Sequence, residues 1–70
     1  MMNEEMVKRY HRMNDRLIEL GRINSDIARL AFYINENEVD KDYACQLDAQ
    51  LEAMVKYRNI LEERIGCGNY

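Results

Sequence analysis

The longest regular apolar pattern in the chain lies between Tyr43 and Ile65, in the stretch YACQLDAQLEAMVKYRNILEERI. Its apolar residues recur at alternating steps of three and four, at Ala44, Leu47, Leu51, Met54, Leu61 and Ile65. This spacing places them on one face of an α-helix, as a narrow seam of the coiled-coil kind. Arg58 interrupts the seam, because it stands where the spacing asks for an apolar residue. We therefore expect the rest of the chain to pack against this helix.

A first helix is predicted from about residue 3 to residue 35. Asn3 can cap it, and Glu4 and Glu5 then lie in its first turn, where they favour the helix dipole. One apolar stripe, which Asn24 interrupts, comprises Met6, Tyr10, Met13, Leu17, Leu20, Ile27, Ala31 and Ile34. A second flank comprises Val7, Ile18, Ile23, Leu30 and Tyr33. One helix cannot cover so wide a face, so we expect this helix to be buried by more than its hairpin mate.

The two segments predict an all-α fold, an antiparallel helical hairpin that forms a single domain over residues 1–70. The turn is placed at about residues 36–41, with Asp40 as a cap, and the second helix at about 42–66, before Gly66 and Gly68. A core of this size gives at most about 3–5 kcal/mol. Cys45 and Cys67 lie at opposite ends of the second helix, too far apart for a disulfide within it. We therefore expect a homo-oligomeric bundle, either a dimer or a tetramer.

Composition argues against several classes of function. The charged N-terminus does not resemble a signal peptide, and no apolar run could span a bilayer, so we expect a cytoplasmic protein away from membranes. A net charge of −3 does not favour binding to nucleic acid polymers, although a local arginine cluster could bind a small anion. His11 is the single histidine, and no serine or cysteine is placed for it to activate. We expect a protein that is not an enzyme and needs no cofactor or metal.

The two polar interruptions fall within about one turn of each other in the predicted hairpin, close to Gly21 and Tyr57. One interpretation is a polar pocket in which Arg58 pairs with phosphate and Tyr57 stacks on a base, beside Asn24. The alternative is that Asn24 sets the register of a bundle and that Arg58 covers apolar surface with its stem. The spacing leaves both interpretations open.

A second candidate group lies at the open end of the hairpin. Tyr10, His11 and Arg12 combine an aromatic ring, a donor and a cation, and the predicted register brings Arg12 level with Arg64. The alternative is that the tyrosines pack at an interface with their hydroxyls at its rim, and that each arginine pairs with a nearby acid. Tyr70, in the tail after the second helix, is expected to be disordered.

Three stretches resemble a known group of proteins. They are RM at Arg12–Met13, DIARLAFYI at Asp26–Ile34, and a second-helix pattern formed by Leu47, Gln50, Met54, Tyr57, Leu61, Arg64 and Ile65. Together, over about residues 10–65, they resemble small helical-hairpin proteins encoded by tailed phages, including crAss-like phages. That group is similar to viral sponges of the anti-CBASS type, which sequester cyclic oligonucleotide signals of bacterial defence.

The resemblance implies an oligomer that holds a cyclic oligonucleotide, such as a cyclic dinucleotide, between subunits without cleaving it. Arg12, Gln50, Tyr57 and Arg64 occupy the polar positions of the pattern, and the resemblance makes them candidate ligand-binding residues. Leu17 and Gly21 depart from the pattern in the first helix. The alternative function is a small coiled-coil module, structural or protein-binding, that presents an exposed apolar stripe of the first helix to another protein.

Overall fold

The computed structural model describes residues 3–70, which form two α-helices and, over that range, no strand. Helix α1 spans Glu4–Glu36 and helix α2 spans Lys41–Gly66. The helices pack against each other as an antiparallel hairpin, which confirms the predicted fold class. The molecule measures 58 × 16 × 13 Å. The first two residues of the predicted domain lie outside the described residues. Over residues 3–70, neither helix carries an apolar stretch long enough to cross a bilayer.

Local hydrogen bonds explain where each helix begins and ends. The Asn3 side chain accepts from the Met6 amide at 2.8 Å, and the Asp40 side chain accepts from the Tyr43 amide at 2.9 Å. Both residues therefore cap a helix N-terminus, as predicted. Asn37 ends α1 without glycine or proline, because both its main-chain and its side-chain nitrogens donate to the Tyr33 carbonyl. Asn37 and Asp40 thus define a turn that the sequence marks only weakly.

The seam of α2 is the most buried part of the hairpin. Leu47 is 7% exposed and Leu61 is 1% exposed, and both belong to the predicted apolar spacing. Arg58 is half-buried in the same row, so the predicted interruption does lie in the seam. Its guanidinium donates to the Asn59 side chain at 3.1 and 3.3 Å. The stem of Arg58 therefore packs in the row while its charged end reaches a neighbour on the same helix.

The predicted stripe of α1 is confirmed in part, because Met13, Leu20, Ile27, Ala31 and Ile34 are half-buried, whereas Met6 and Tyr10 are exposed. Leu17 and Asn24 are exposed, whereas the residues that precede them, Arg16 and Ile23, are half-buried. The half-buried row of α1 comprises Met13, Arg16, Leu20, Ile23, Ile27, Leu30, Ala31 and Ile34, and Glu19 is half-buried beside this row. Both choices satisfy a spacing of three and four, because apolar residues cover a wide face of this helix. The polar residue within the row of α1 is therefore Arg16 and not Asn24.

A single hairpin leaves much of its apolar surface in water. Phe32 is 66% exposed and Ile60 is 53% exposed, and the predicted second flank is exposed at Val7, Ile18 and Tyr33. The total accessible surface is 5632 Å². A compact monomer of this size would expose about 4,600 Å², so the hairpin exposes about 1,000 Å² more than expected.

We predict that Leu61→Ala lowers the free energy of unfolding by about 2–5 kcal/mol, because it removes the most buried side chain and leaves a cavity. Ile60→Ala is the matched control, since the neighbouring side chain is mostly exposed, and it should cost less than half as much. Urea denaturation followed by circular dichroism measures both variants. An equal loss, or a larger loss for Ile60→Ala, would contradict this description of the core.

Candidate ligand-binding surface

The chain turns back toward α1 after the last turn of α2. The Gly68 amide donates to the Ile65 carbonyl at 3.1 Å, and the Asn69 amide donates to the Arg64 carbonyl at 2.8 Å. Gly68 itself adopts a left-handed conformation with φ of 76°. These two bonds and the left-handed glycine form a Schellman motif, which satisfies the last carbonyls of the helix. The motif directs residues 68–70 across the open end of the hairpin.

Three arginines from both helices meet this segment, and we call them the arginine cluster: Arg9 and Arg16 of α1 and Arg64 of α2. Arg16 Nη1 and Arg64 Nη2 donate to the main-chain oxygen of Tyr70 at 3.3 and 3.5 Å. Arg9 Nη2 donates to the Gly68 carbonyl at 3.3 Å. Arg9 Cζ also lies 5.4 Å from the centre of the Tyr70 ring, a cation–π distance. Tyr70 was expected to be disordered, and this expectation is wrong because its side chain is half-buried among these contacts.

The positive charge of the arginine cluster is only partly balanced. Arg16 Nε lies 2.8 Å from Glu19 Oε2 in an ion pair. That nitrogen is nevertheless buried without a hydrogen bond of good geometry, so Glu19 balances its charge without accepting its N–H. Within residues 3–70, neither Arg9 nor Arg64 has an Asp or Glu side chain within 4 Å of its guanidinium. Guanidinium groups that converge in this way, with few acidic side chains among them, can bind an anion.

A shallow groove continues from the cluster along α1. It is lined by Met6, Arg9, Tyr10, Met13 and Tyr70. The exposed Tyr10 ring also packs edge-on against His11, with the ring centres 6.1 Å apart. A planar group could therefore lie in the groove against the Tyr10 ring and the two methionines of α1, with an attached anion at the cluster.

Two of the predicted site residues, Tyr10 and Arg64, lie at this open end, beside the tail. Arg12 is also on α1 near this end, but its guanidinium pairs with Glu5 at 3.7 Å. Sequence reasoning missed Arg9 and Arg16 as site residues. Their spacing of seven was a usable signal, because it places them with Met13 on one face of α1.

Three other predicted residues form a row on α2. Gln50, Tyr57 and Arg64 are spaced by seven, so they recur on one face about 10 Å apart, and all three are exposed. Tyr43 continues the row toward the turn and is also exposed. We call these four residues the α2 row. Arg64 meets the tail at one end of the row, and the exposed side chains of Tyr43, Gln50 and Tyr57 could help to enclose a ligand held against another molecule.

In the single hairpin, Asn24 does not line the pocket that was predicted between Asn24 and Arg58. The Asn24 side chain is exposed because α1 turns Ile23 into the seam instead. Gly21, expected to open space beside Arg58, is exposed, and a Cβ built on it would meet no atom within 4 Å. Gly21 lies in a surface groove with Ile18, Arg22, Ser25, Asp26 and Arg29. In the single hairpin Asn24 therefore lies outside the seam that holds Arg58, and a ligand site shared by the two residues stays a prediction.

Among residues 3–70, the remaining reactive side chains are not assembled into a site. Cys45 and Cys67 are free thiols, and both are exposed. In the part of the chain that the structure describes, no three His, Cys, Asp or Glu side chains are grouped as ligands of a metal ion.

Comparison with known proteins gives one finding. No curated protein matches the chain, and no solved structure does. A family model, that of Sequestin, matches residues 3–66. This range includes both helices and stops before the tail that meets the arginine cluster. Because the match covers most of its length, the chain belongs to the Sequestin family.

Proposed function

We propose that the protein binds and sequesters a cyclic oligonucleotide signal, such as a cyclic dinucleotide, without cleaving it. It would thereby antagonise a CBASS-type antiphage defence from within the cytoplasm of the infected host. The family name indicates sequestration. The observation that carries the proposal is the arginine cluster, in which guanidinium groups from both helices converge beside an aromatic groove.

The chemistry of the cluster suits a phosphodiester better than a carboxylate. Two phosphates of a cyclic dinucleotide offer several oxygens to guanidinium donors, and tyrosine rings offer faces on which bases stack. Sequestration requires only affinity and a sufficient number of protein copies. The proposal therefore assigns no residue to bond cleavage, and it requires neither a cofactor nor a metal.

The functional unit that we propose is a homo-oligomer, a dimer or a tetramer, with the ligand held between subunits. Its support is the exposed surface, since the excess of about 1,000 Å² exceeds the roughly 800 Å² that each partner buries in a standard interface. A second copy would cover the exposed apolar residues of α1. It could also close the α2 row, so that Gln50, Tyr57 and Arg64 face an enclosed site.

We predict a selective stabilisation by one class of cyclic nucleotide. A thermal melt should be recorded with cyclic dinucleotides, cyclic trinucleotides, their linear counterparts and pyrophosphate-linked nucleotides, because arginines do not read the linkage. At 100 times the dissociation constant, a ligand adds about 2.7 kcal/mol, which is about 10 °C or more for a domain this small. A flat panel from a folded protein would contradict the proposal and favour the protein-binding module.

We predict that Arg64→Ala weakens binding of the stabilising nucleotide by about 10- to 100-fold while the oligomer stays intact. Lys56→Ala is the matched control, because it removes one exposed positive charge of α2 away from the cluster. Calorimetric titration and light scattering measure the two properties separately. Arg58→Ala should likewise weaken binding. If either arginine variant only dissociates the oligomer, that arginine has a structural role instead.

We predict that the purified protein is larger than one 70-residue chain in solution. The exposed apolar surface provides the driving force, at about 25 cal/mol per Å² of apolar area buried. Multi-angle light scattering across a dilution series should give a multiple of the chain mass at micromolar concentration. A monomer at all concentrations would contradict the assembly and, with it, a site between subunits.

A further inference from the structure

We propose that the arginine cluster is the phosphate-binding subsite of this protein and that residues 68–70 are its internal occupant, displaced when a phosphate binds. This inference rests on the proposed function for the nucleotide, but the subsite itself requires only an anion of the phosphate class. The tail presents to Arg9, Arg16 and Arg64 the groups that a nucleotide would present, namely acceptor oxygens and a ring.

The occupant satisfies the arginines incompletely. The oxygens of Gly68 and Tyr70 accept at 3.3 to 3.5 Å, long for bonds from a charged donor, which are usually about 2.7–2.9 Å. Arg16 Nε lies 2.8 Å from Glu19 Oε2 but has no hydrogen bond of good geometry to it. Phosphate oxygens carry charge and can accept from several guanidinium nitrogens at once. A phosphate therefore competes favourably for donors that the tail holds weakly.

The backbone at Gly68 would also allow the tail to leave the cluster. A single left-handed residue, Gly68, directs it across the cluster, and a Cβ at this position would lie 2.7 Å from Arg9 Nη2. Beyond Gly68, the described contacts of the tail are the Asn69 amide bond to Arg64 and the contacts of Tyr70 with the three arginines. Rotation at Gly68 would release them together, with loss of the Asn69 bond that caps α2, and would leave the rest of α2 unchanged.

The competition predicts opposite effects for two groups of variants. Arg9→Ala and Arg64→Ala should weaken nucleotide binding by about 10- to 100-fold, as expected for the loss of a hydrogen bond to a charged group. Tyr70→Ala should tighten nucleotide binding by about two- to fivefold. Without the cation–π contact between Arg9 and the Tyr70 ring, the tail would occupy the cluster for a smaller fraction of the time. Gly68→Ala should act in the same direction as Tyr70→Ala, since alanine disfavours the left-handed turn.

Two controls accompany these variants. Arg29→Ala removes the same charge from α1, 13 residues beyond Arg16 and so roughly 20 Å along the helix, and it should leave the affinity unchanged. Asn69→Ala alters the tail but keeps its main-chain bond to Arg64, and its side chain makes no described contact. It should also leave the affinity unchanged.

The direct test is a nuclear magnetic resonance titration of the full chain with inorganic pyrophosphate, and then with the nucleotide that stabilises it most. We expect the Nε–Hε signals of Arg9, Arg16 and Arg64 to shift, that of Arg29 to stay, and the Tyr70 amide to move to its random-coil position. If pyrophosphate shifts the three arginines no more than Arg29, the subsite is overturned. If a nucleotide binds while the cluster and Tyr70 stay unchanged, the proposed function stands and this inference fails. If pyrophosphate shifts these signals and no nucleotide does, the phosphate subsite is supported and the proposed nucleotide ligand is not.

Discussion

The narrow seam between the two helices is the constraint on which the rest of the structure depends. Two helices can cover only one face of each other, and Leu47 and Leu61 are the only apolar side chains among residues 3–70 that this contact buries. The apolar residues of α1 that face the seam are only half-buried, and others such as Val7 and Ile18 stay exposed because a single partner helix is too narrow for them. The hairpin therefore leaves apolar surface exposed to water. That exposed surface is the physical argument for assembly with further copies of the chain.

Each helix carries one arginine in its half-buried row, and the two have different surroundings. The guanidinium of Arg58 donates to the side chain of its neighbour Asn59, so its described hydrogen bonds lie within α2. Arg16 reaches out of the row to Glu19 and to the tail, where Arg9 and Arg64 join it. Within one hairpin, the stem of Arg58 thus covers apolar surface while Arg16 joins the cluster, and a role of Arg58 in a site between subunits stays a prediction. The cluster also places positive charge at the open end of the hairpin, in a protein whose net charge is −3.

Much of the fold was predictable, because it depends on local chemistry. The caps at Asn3 and Asp40 and the spacing around Leu61 are visible in short stretches of sequence. Which residues of α1 face the seam was not fully predictable. On its wide apolar face, either Leu17 or Arg16, and either Asn24 or Ile23, satisfies the same spacing. The tail contacts were not predictable either. Arg9 and Gly68 are 59 residues apart, and no periodic pattern reports a contact at that distance.

The central claim is that the protein removes a cyclic nucleotide from solution without changing it. The most direct measurement incubates the protein with the cyclic nucleotide that stabilises it most, and determines the unbound nucleotide by ultrafiltration and chromatography. The protein is then denatured by heat, and the nucleotide is measured again. The account predicts that the free nucleotide falls in a fixed ratio to the protein added and returns in full, intact, after denaturation. Cleaved or linear products, or no fall in the free nucleotide, would contradict it.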